Sequence, residues 1–382
     1  MMKLTDYRLD DEAGILTPAL LVYPSFVDAN IEATLRIMGG DANRWRPHLK
    51  TAKMPWVIRR LIAYGVQHFK CATTRELLVA CQSGARDVLI AYAMVGANAR
   101  RAIEIAAQYP DAAVSILVEN EAQARQWAGG PLGVFIDINP GMDRTGIAAA
   151  DEDSIVLIAR LLGERFRGLH YYDGHVAAPD PVERERMAHA GYDRLLRIAA
   201  AVESAGLAAG EIITSGTPAF PAAMNYPGFR NRTFVHRASP GTVVFNDATS
   251  LELFPASLGY QAAALILATV VSHPAPGRIT CDAGHKSVSA DAGVPTCAVV
   301  GYPELRPLKP SEEHLPIDVP AGSAMPAIGD VLYLLPRHIC PSVNQFDEAL
   351  MVRHGHAEAS EPVAARGHEA ARFEPSPALT AV

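Results

Sequence analysis

The sequence has no excess of basic residues: 34 Lys and Arg stand against 41 Asp and Glu, a formal net charge of -7. That leaves no basic stripe to neutralise phosphates, which argues against nucleic acid as the main partner. Long apolar runs are missing too, the longest, 262–271, being far short of the roughly 20 residues a helix needs to cross a bilayer. No membrane partner is expected. Cysteine is sparse: Cys71, Cys81, Cys281, Cys297 and Cys340 are odd in number and unclustered, which fits reduced thiols rather than a disulfide framework. No positively charged, apolar leader precedes the acidic residues that follow Met1-Met2-Lys3-Leu4-Thr5-Asp6-Tyr7, so a cytoplasmic location is expected.

What is present is 382 residues, 49% of them hydrophobic and 20% charged, enough to bury a large core and too many for one small domain. Small molecules and further copies of the chain are the partners that such a surface suits. Eight candidate strands stand at 46–50, 68–72, 87–91, 113–118, 133–138, 167–172, 211–214 and 234–237. Between most of them lie segments with 3.6-residue apolar spacing, such as 74–83, 98–108 and 184–205. Strand followed by helix in that number predicts an α/β fold with a closed (β/α)8 TIM-type barrel.

Past residue 250 the pattern changes. A β-branched and Ala/Leu-rich run at 260–272, then short strands at 278–282, 296–300, 331–335 and 350–353 broken by Gly and Pro, predict a C-terminal all-β domain. The apolar segment 19–23 precedes the barrel repeat and is expected to pair with that domain. The predicted layout is an N-terminal strand in 1–24, a barrel over 25–255, a β domain over 256–356 and a loose tail over 357–382.

In a barrel the residues just after each strand crowd one rim, where active sites are built. Lys50, Arg144, Tyr172, His175, Ser215-Gly216-Thr217 and Gly241-Thr242 all fall there. Lys50 ends an extended run and presents one amine; a solvated lysine capping a strand is the bland alternative. Gly216-Thr217 and Pro240-Gly241-Thr242 follow the last two strands, where barrels bind phosphate on backbone N–H groups, although both are also ordinary turn sequences. A barrel-end lysine for an aldehyde, a donor nest for a phosphate and Arg144 for a ring oxygen together suggest pyridoxal phosphate. His175 is a candidate base or a hydrogen-bonded strand-end histidine. His338 and Cys340, two apart in an extended strand, would share a face and hold one metal with positions left open, or else form a core pair.

Arg46-Pro47-His48-Leu49-Lys50-Thr51, Gly141-Met142-Asp143-Arg144-Thr145-Gly146, Tyr172-Asp173-Gly174-His175, Ser215-Gly216-Thr217-Pro218, Asp282-Ala283-Gly284-His285-Lys286-Ser287 and Pro336-Arg337-His338-Ile339-Cys340-Pro341 occur in this order. Together they resemble the D-threonine aldolase and D-serine dehydratase group of alanine-racemase-like enzymes, over about residues 16–355. The resemblance implies a homodimeric fold-type III enzyme, barrel plus β domain, with pyridoxal phosphate on Lys50. Arg144 would lie by the cofactor's phenolic oxygen, Tyr172 near its ring, and Ser215, Gly216, Thr217, Gly241 and Thr242 around its phosphate. It further implies a divalent ion on His338 and Cys340 that engages a substrate β-hydroxyl; the thiolate favours zinc over manganese or magnesium.

The activity so implied is metal-assisted lysis of D-β-hydroxy-α-amino acids. Cys340 and the Ser215 loop resemble the dehydratases, whereas Pro341-Ser342-Val343-Asn344 and the Asp282 motif resemble the aldolases. Retro-aldol cleavage to glycine and an aldehyde is the activity expected, with dehydration to a 2-oxo acid and ammonia as the alternative. An amino-acid racemase would not need the metal pair, and a non-catalytic carrier of the cofactor would not need so long a β domain.

Overall fold

Strands covered on both faces need apolar side chains on both, and runs such as Val134-Phe135-Ile136 supply them. In the computed structural model, which describes residues 3–369, seven such runs lie parallel. Their order is His68–Cys71, Asp87–Ala93, Ala113–Val118, Gly133–Asn139, Phe166–Tyr171, Glu211–Thr214 and Val235–Ala238. A two-residue strand, Ile147–Ala148, is added beside Gly133–Asn139. The connecting helices start on side-chain caps. Thr73 accepts from the Glu76 N–H while the Glu76 carboxylate reaches back to the Ala72 N–H, and Asn120, Asp151 and Asp180 cap the helices Glu121–Trp127, Glu152–Leu162 and Pro181–Ser204.

The predicted first strand, 46–50, is not a strand. Pro47 has no N–H for a ladder, and only two isolated bridges form, Trp45 to Ala238 and His48 to Lys70. The Arg46 N–H donates to the Ala238 carbonyl at 2.9 Å, the Leu49 N–H to the Lys70 carbonyl at 2.7 Å and the Lys70 N–H to the Pro47 carbonyl at 2.9 Å. These bonds join the last parallel strand to the first, so the ring closes through a bridge where a strand was predicted. Leu89, Leu117, Phe135 and Ile213 fill its interior.

The chain divides into two units: the barrel unit spans Leu35–Lys50, Val57–Gly241 and His368–Val382, the other Met1–Thr34, Thr51–Trp56 and Thr242–Gly367. These limits differ from the predicted 25–255 barrel, and bonds between distant residues set them. Asn30, on the helix Pro24–Ile37, donates to the Val244 and Gln261 carbonyls and accepts the Gln261 N–H, which ties the start of that helix to the later segment.

The second unit holds a nine-stranded sheet among the described residues. Ala19–Val22 runs antiparallel to Ala264–Ala275 and parallel to Glu348–Arg353. Val331–Pro336 joins Ala264–Ala275 to Cys297–Val299. Tyr7, Leu21, Tyr23, Leu265 and Tyr333 belong to its core. Two predictions change here. Residues His356–Pro362, placed in a loose tail, form a strand against Glu348–Arg353, turned by His354 and Gly355, both at positive φ; residues 370–382 lie outside the described residues. His338 and Cys340 are not on a strand, because the strand stops at Pro336 and a short helix, Ile339–Val343, begins on His338 as its N-cap. Among the described residues no helix is long and apolar enough to cross a membrane.

Candidate active site

In the barrel unit, three cationic side chains gather over the Tyr172 ring. Lys50 Nζ is 5.9 Å from its centroid, Lys70 Nζ 5.3 Å and the Arg144 guanidinium carbon 4.9 Å. Neither Lys50 nor Arg144 forms an ion pair with a carboxylate among the described residues. Cations collected without counter-charges suit an anionic ligand. Arg144 is carried by a braced loop: the Asn139 side chain accepts the Gly141 and Asp143 N–H groups, and the Gly146 N–H donates to Glu119. Gly146 is at positive φ, and a Cβ there would stand 2.6 Å from the Asn139 nitrogen. Asp137, Pro140, Met142, Arg144, Thr145 and Tyr172 line one cleft.

The turn after Glu211–Thr214 presents the expected phosphate residues. Ser215 is buried at positive φ, and its hydroxyl has no hydrogen-bond partner among the described residues. Gly216 lies so close to Tyr172 that a Cβ would come within 2.9 Å of the ring edge. Thr217 is buried beside it in sequence, and Gly241 approaches the His48 carbonyl so tightly that a Cβ would meet it at 2.5 Å. An orphaned hydroxyl and glycines kept bare in these turns fit a cradle for the phosphate of pyridoxal phosphate. Thr242 opens a 3-10 helix in the other unit. His48 accepts the Lys50 backbone N–H on Nδ1 at 3.2 Å.

Sequence reasoning missed a buried trio in the barrel unit. His170 Nδ1 is 2.7 Å from Asp137 Oδ1, and its Nε2 is 3.1 Å from Lys70 Nζ. Thr145 donates to the other Asp137 oxygen at 2.9 Å. Burial, then the charge on Lys50, hold the Lys70 ammonium down to about 7, although Asp137 and Asp173 oppose this. Burial raises the proton affinity of Asp137, but hydrogen bonds from His170 and Thr145 leave it below the usual carboxylate range. A signal existed: Lys70 between Phe69 and Cys71, Asp137 inside an apolar run and His170 two before Tyr172 are polar residues in strands apolar elsewhere.

In the second unit, His338 Nδ1 lies 2.6 Å from an Asp291 carboxylate oxygen, a residue the sequence reading did not name. Cys340 Sγ is 3.1 Å from the Thr51 hydroxyl and 3.5 Å from that of Thr242, and its thiol is a hydrogen-bond neighbour of His338. Burial depresses His338, but Cys340 and Asp291 together draw it up to about 9. A carboxylate on one imidazole nitrogen with a thiol near the ring is chemistry that suits a metal-bound histidine. No group of three or more His, Cys, Asp or Glu side chains able to hold a metal ion occurs among the described residues. His175 is exposed in the turn after Phe166–Tyr171.

Comparison with known proteins points to one family. The family model for the alanine racemase N-terminal domain matches residues 25–247, and that for a putative serine dehydratase domain matches residues 263–352. D-threonine aldolase of Arthrobacter sp. is 31% identical over 383 residues, 94% of each chain. D-threo-3-hydroxyaspartate dehydratase of Delftia sp. (strain HT23) is 26% identical over 359 residues, 86% of this chain and 92% of that one. The crystal structure of D-threonine aldolase from Filomicrobium marinum superposes with a TM-score of 0.83 at 27% identity, over 93% of this chain and 96% of its own.

Proposed function

Because the chain belongs to the alanine-racemase-like, fold-type III family of D-threonine aldolase and D-serine dehydratase, we propose that it is a metal-assisted, pyridoxal-phosphate-dependent lyase of D-β-hydroxy-α-amino acids, cleaving them to glycine and an aldehyde. The gathering of Lys50 and Arg144 on Tyr172, with no carboxylate paired to either among the described residues, is the observation that carries this function. When bound, pyridoxal phosphate supplies a carbonyl for amines and a ring that accepts the electron pair of a breaking bond at Cα. Lys50 would hold its carbonyl carbon, Arg144 its phenolic oxygen, Tyr172 its ring, and Ser215, Gly216, Thr217, Gly241 and Thr242 its phosphate.

The chain's own residues then bind, orient and move protons. Arg144, fixed by the Asn139-braced loop, keeps positive charge against the ring oxygen. Gly216 leaves free the space beside the Tyr172 ring edge that a Cβ would invade. His338 and Cys340 would hold the divalent ion, whose Lewis acidity makes the substrate hydroxyl easier to deprotonate, and the thiolate favours zinc. His175, exposed in the turn after Phe166–Tyr171, would take the β-hydroxyl proton. The homodimer expected of the family belongs to the same proposal.

Cys340 supports a second reading, dehydration, since a soft sulfur ligand at that position resembles the dehydratase pattern. Incubation of the protein, supplied with pyridoxal phosphate and Zn2+, with D-threonine separates the two. Glycine and acetaldehyde in equal amounts are expected; 2-oxobutyrate with ammonia transfers the assignment to a dehydratase. Lys50→Ala is expected to abolish turnover and cofactor uptake, and chelation of the metal to abolish turnover alone. Wild-type protein that takes up no pyridoxal phosphate would sink the proposal.

A further inference from the structure

The sulfur of Cys340 has polar neighbours that a cysteine filling a core does not need. A buried thiol behaves as a small apolar group, with a weak S–H donor and a weak acceptor. Cys340 is 7% exposed, yet two hydroxyls stand on its sulfur, Thr51 Oγ1 at 3.1 Å and Thr242 Oγ1 at 3.5 Å. Thr51 is itself only 1% exposed, so its hydroxyl must find its partner inside the protein, and a buried donor that meets a poor acceptor costs stability. Two hydroxyls are ill matched to a neutral thiol and well matched to a sulfur that carries negative charge.

Resting on the assignment of His338 and Cys340 as ligands of a divalent ion, we infer that Thr51 is the positioning residue of the sulfur ligand: its hydroxyl donates to Cys340 Sγ, fixes where the sulfur points and draws charge from it. A sulfur that holds a metal has given up its own hydrogen, so it can only accept, and both hydroxyls are then donors. Thr242 is already assigned to the phosphate and stands farther off, which leaves Thr51 as the residue given over to the sulfur.

The other ligand has a support of its own. Asp291 takes His338 Nδ1 at 2.6 Å and leaves Nε2 as the nitrogen for a metal. The two supports act in opposite senses. A carboxylate behind the imidazole makes it a stronger donor, whereas a hydroxyl on the sulfur makes the sulfur a weaker one and so preserves the Lewis acidity that the substrate hydroxyl needs.

Two measurements on the full chain, stripped of metal by a chelator, test this. T51V keeps the shape of the side chain and removes the hydroxyl; T51S keeps the hydroxyl and removes the methyl. Titrated with Zn2+ against a coloured chelator, T51V should bind about 10-fold more weakly than wild type, and T51S should recover most of that loss. Loaded with Co2+ instead, the wild type should show the near-ultraviolet charge-transfer band of a cobalt–sulfur bond in difference spectra against the metal-free protein. That band should move to longer wavelength in T51V, because a sulfur that no longer accepts a hydrogen bond holds its electrons less tightly, and return in T51S. A mere packing role for Thr51 would give neither the shift nor its rescue by serine. T51V that binds Zn2+ as tightly as wild type, or a cobalt band that does not move, overturns the inference while leaving His338 and Cys340 as ligands. A wild type that shows no cobalt–sulfur band removes both.

Discussion

Arg46 is buried without access to water, and its guanidinium meets two carboxylates in bidentate pairs: Glu211 at 2.8 and 2.9 Å, Asp87 at 3.0 and 3.2 Å. Burial lowers its proton affinity, but the charges of Glu211 and Asp87 more than restore it. Burial also works against an ionised Asp87, yet hydrogen bonds from His68, Arg46 and Arg167 hold it far below the usual carboxylate range. A carboxylate depressed in the fold contributes stability above its unfolded value, about 3.9, and loses it as the pH falls below that. Arg46→Met should cost about 3–5 kcal/mol in urea unfolding at pH 7, because it takes a buried guanidinium from two carboxylates and leaves them only Arg167, Arg237 and His68, and less below pH 4, where the charge on Asp87 that Arg46 balances is easier to discharge. An equal cost at both pH values would contradict the ion-pair account. None of this was legible in the sequence, where Arg46 read as the opening of a strand; its partners lie 41 and 165 residues away. The gathering of Lys50, Arg144 and Tyr172 could be anticipated because each was expected just after a barrel strand, although 46–50 forms only isolated bridges. Lys70 was passed over because it sits inside a strand, where polar residues are read as exceptions.

Elements were recovered wherever burial imposed an apolar run. Ala113–Val118 and Glu211–Thr214 match their predicted limits because both are buried along nearly their whole length. The failures share another cause. His356–Pro362 is a mostly exposed edge strand with no apolar alternation, visible in advance only through the His354-Gly355 turn. The helix at Ile339–Val343 is five residues long, too short for any periodicity, so His338 and Cys340 were assigned to the strand that ends at Pro336. The turns after the last two barrel strands yield a paired prediction. Gly241→Ala drives a Cβ against the His48 carbonyl, a backbone atom, and should cost about 1–3 kcal/mol of stability. Gly216→Ala meets the edge of a side chain instead, so it should leave urea unfolding nearly unchanged while weakening pyridoxal phosphate binding through a displaced Tyr172. Equal stability losses in the two variants would contradict that distinction.

At the scale of the whole molecule, a reading along the sequence assumes that each domain is one continuous stretch. Here each unit is assembled from three. Residues 51–56 belong with the β-rich unit through bonds such as the Ala365 N–H to the Lys53 carbonyl, which join positions too far apart for any local pattern to report. The fold class survived because the βα alternation is local, whereas the limits of these two units are set by distant partners.

The closure of the barrel through a bridge also sets where the ring gives way first. Between Gly133–Asn139 and Ala113–Val118 the ladder runs without a register shift, whereas the seam on either side of Pro47 is held by the amides of Arg46, Leu49 and Lys70. In heavy water the Arg46 and Leu49 amides should therefore take up deuterium before those of Gly133–Asn139, as read by exchange mass spectrometry, and uniform protection around the ring would contradict this. The segment bearing Lys50 is then the barrel's latch, free to spring without unfolding the rest, and a cofactor seated on Lys50 would act as its bolt.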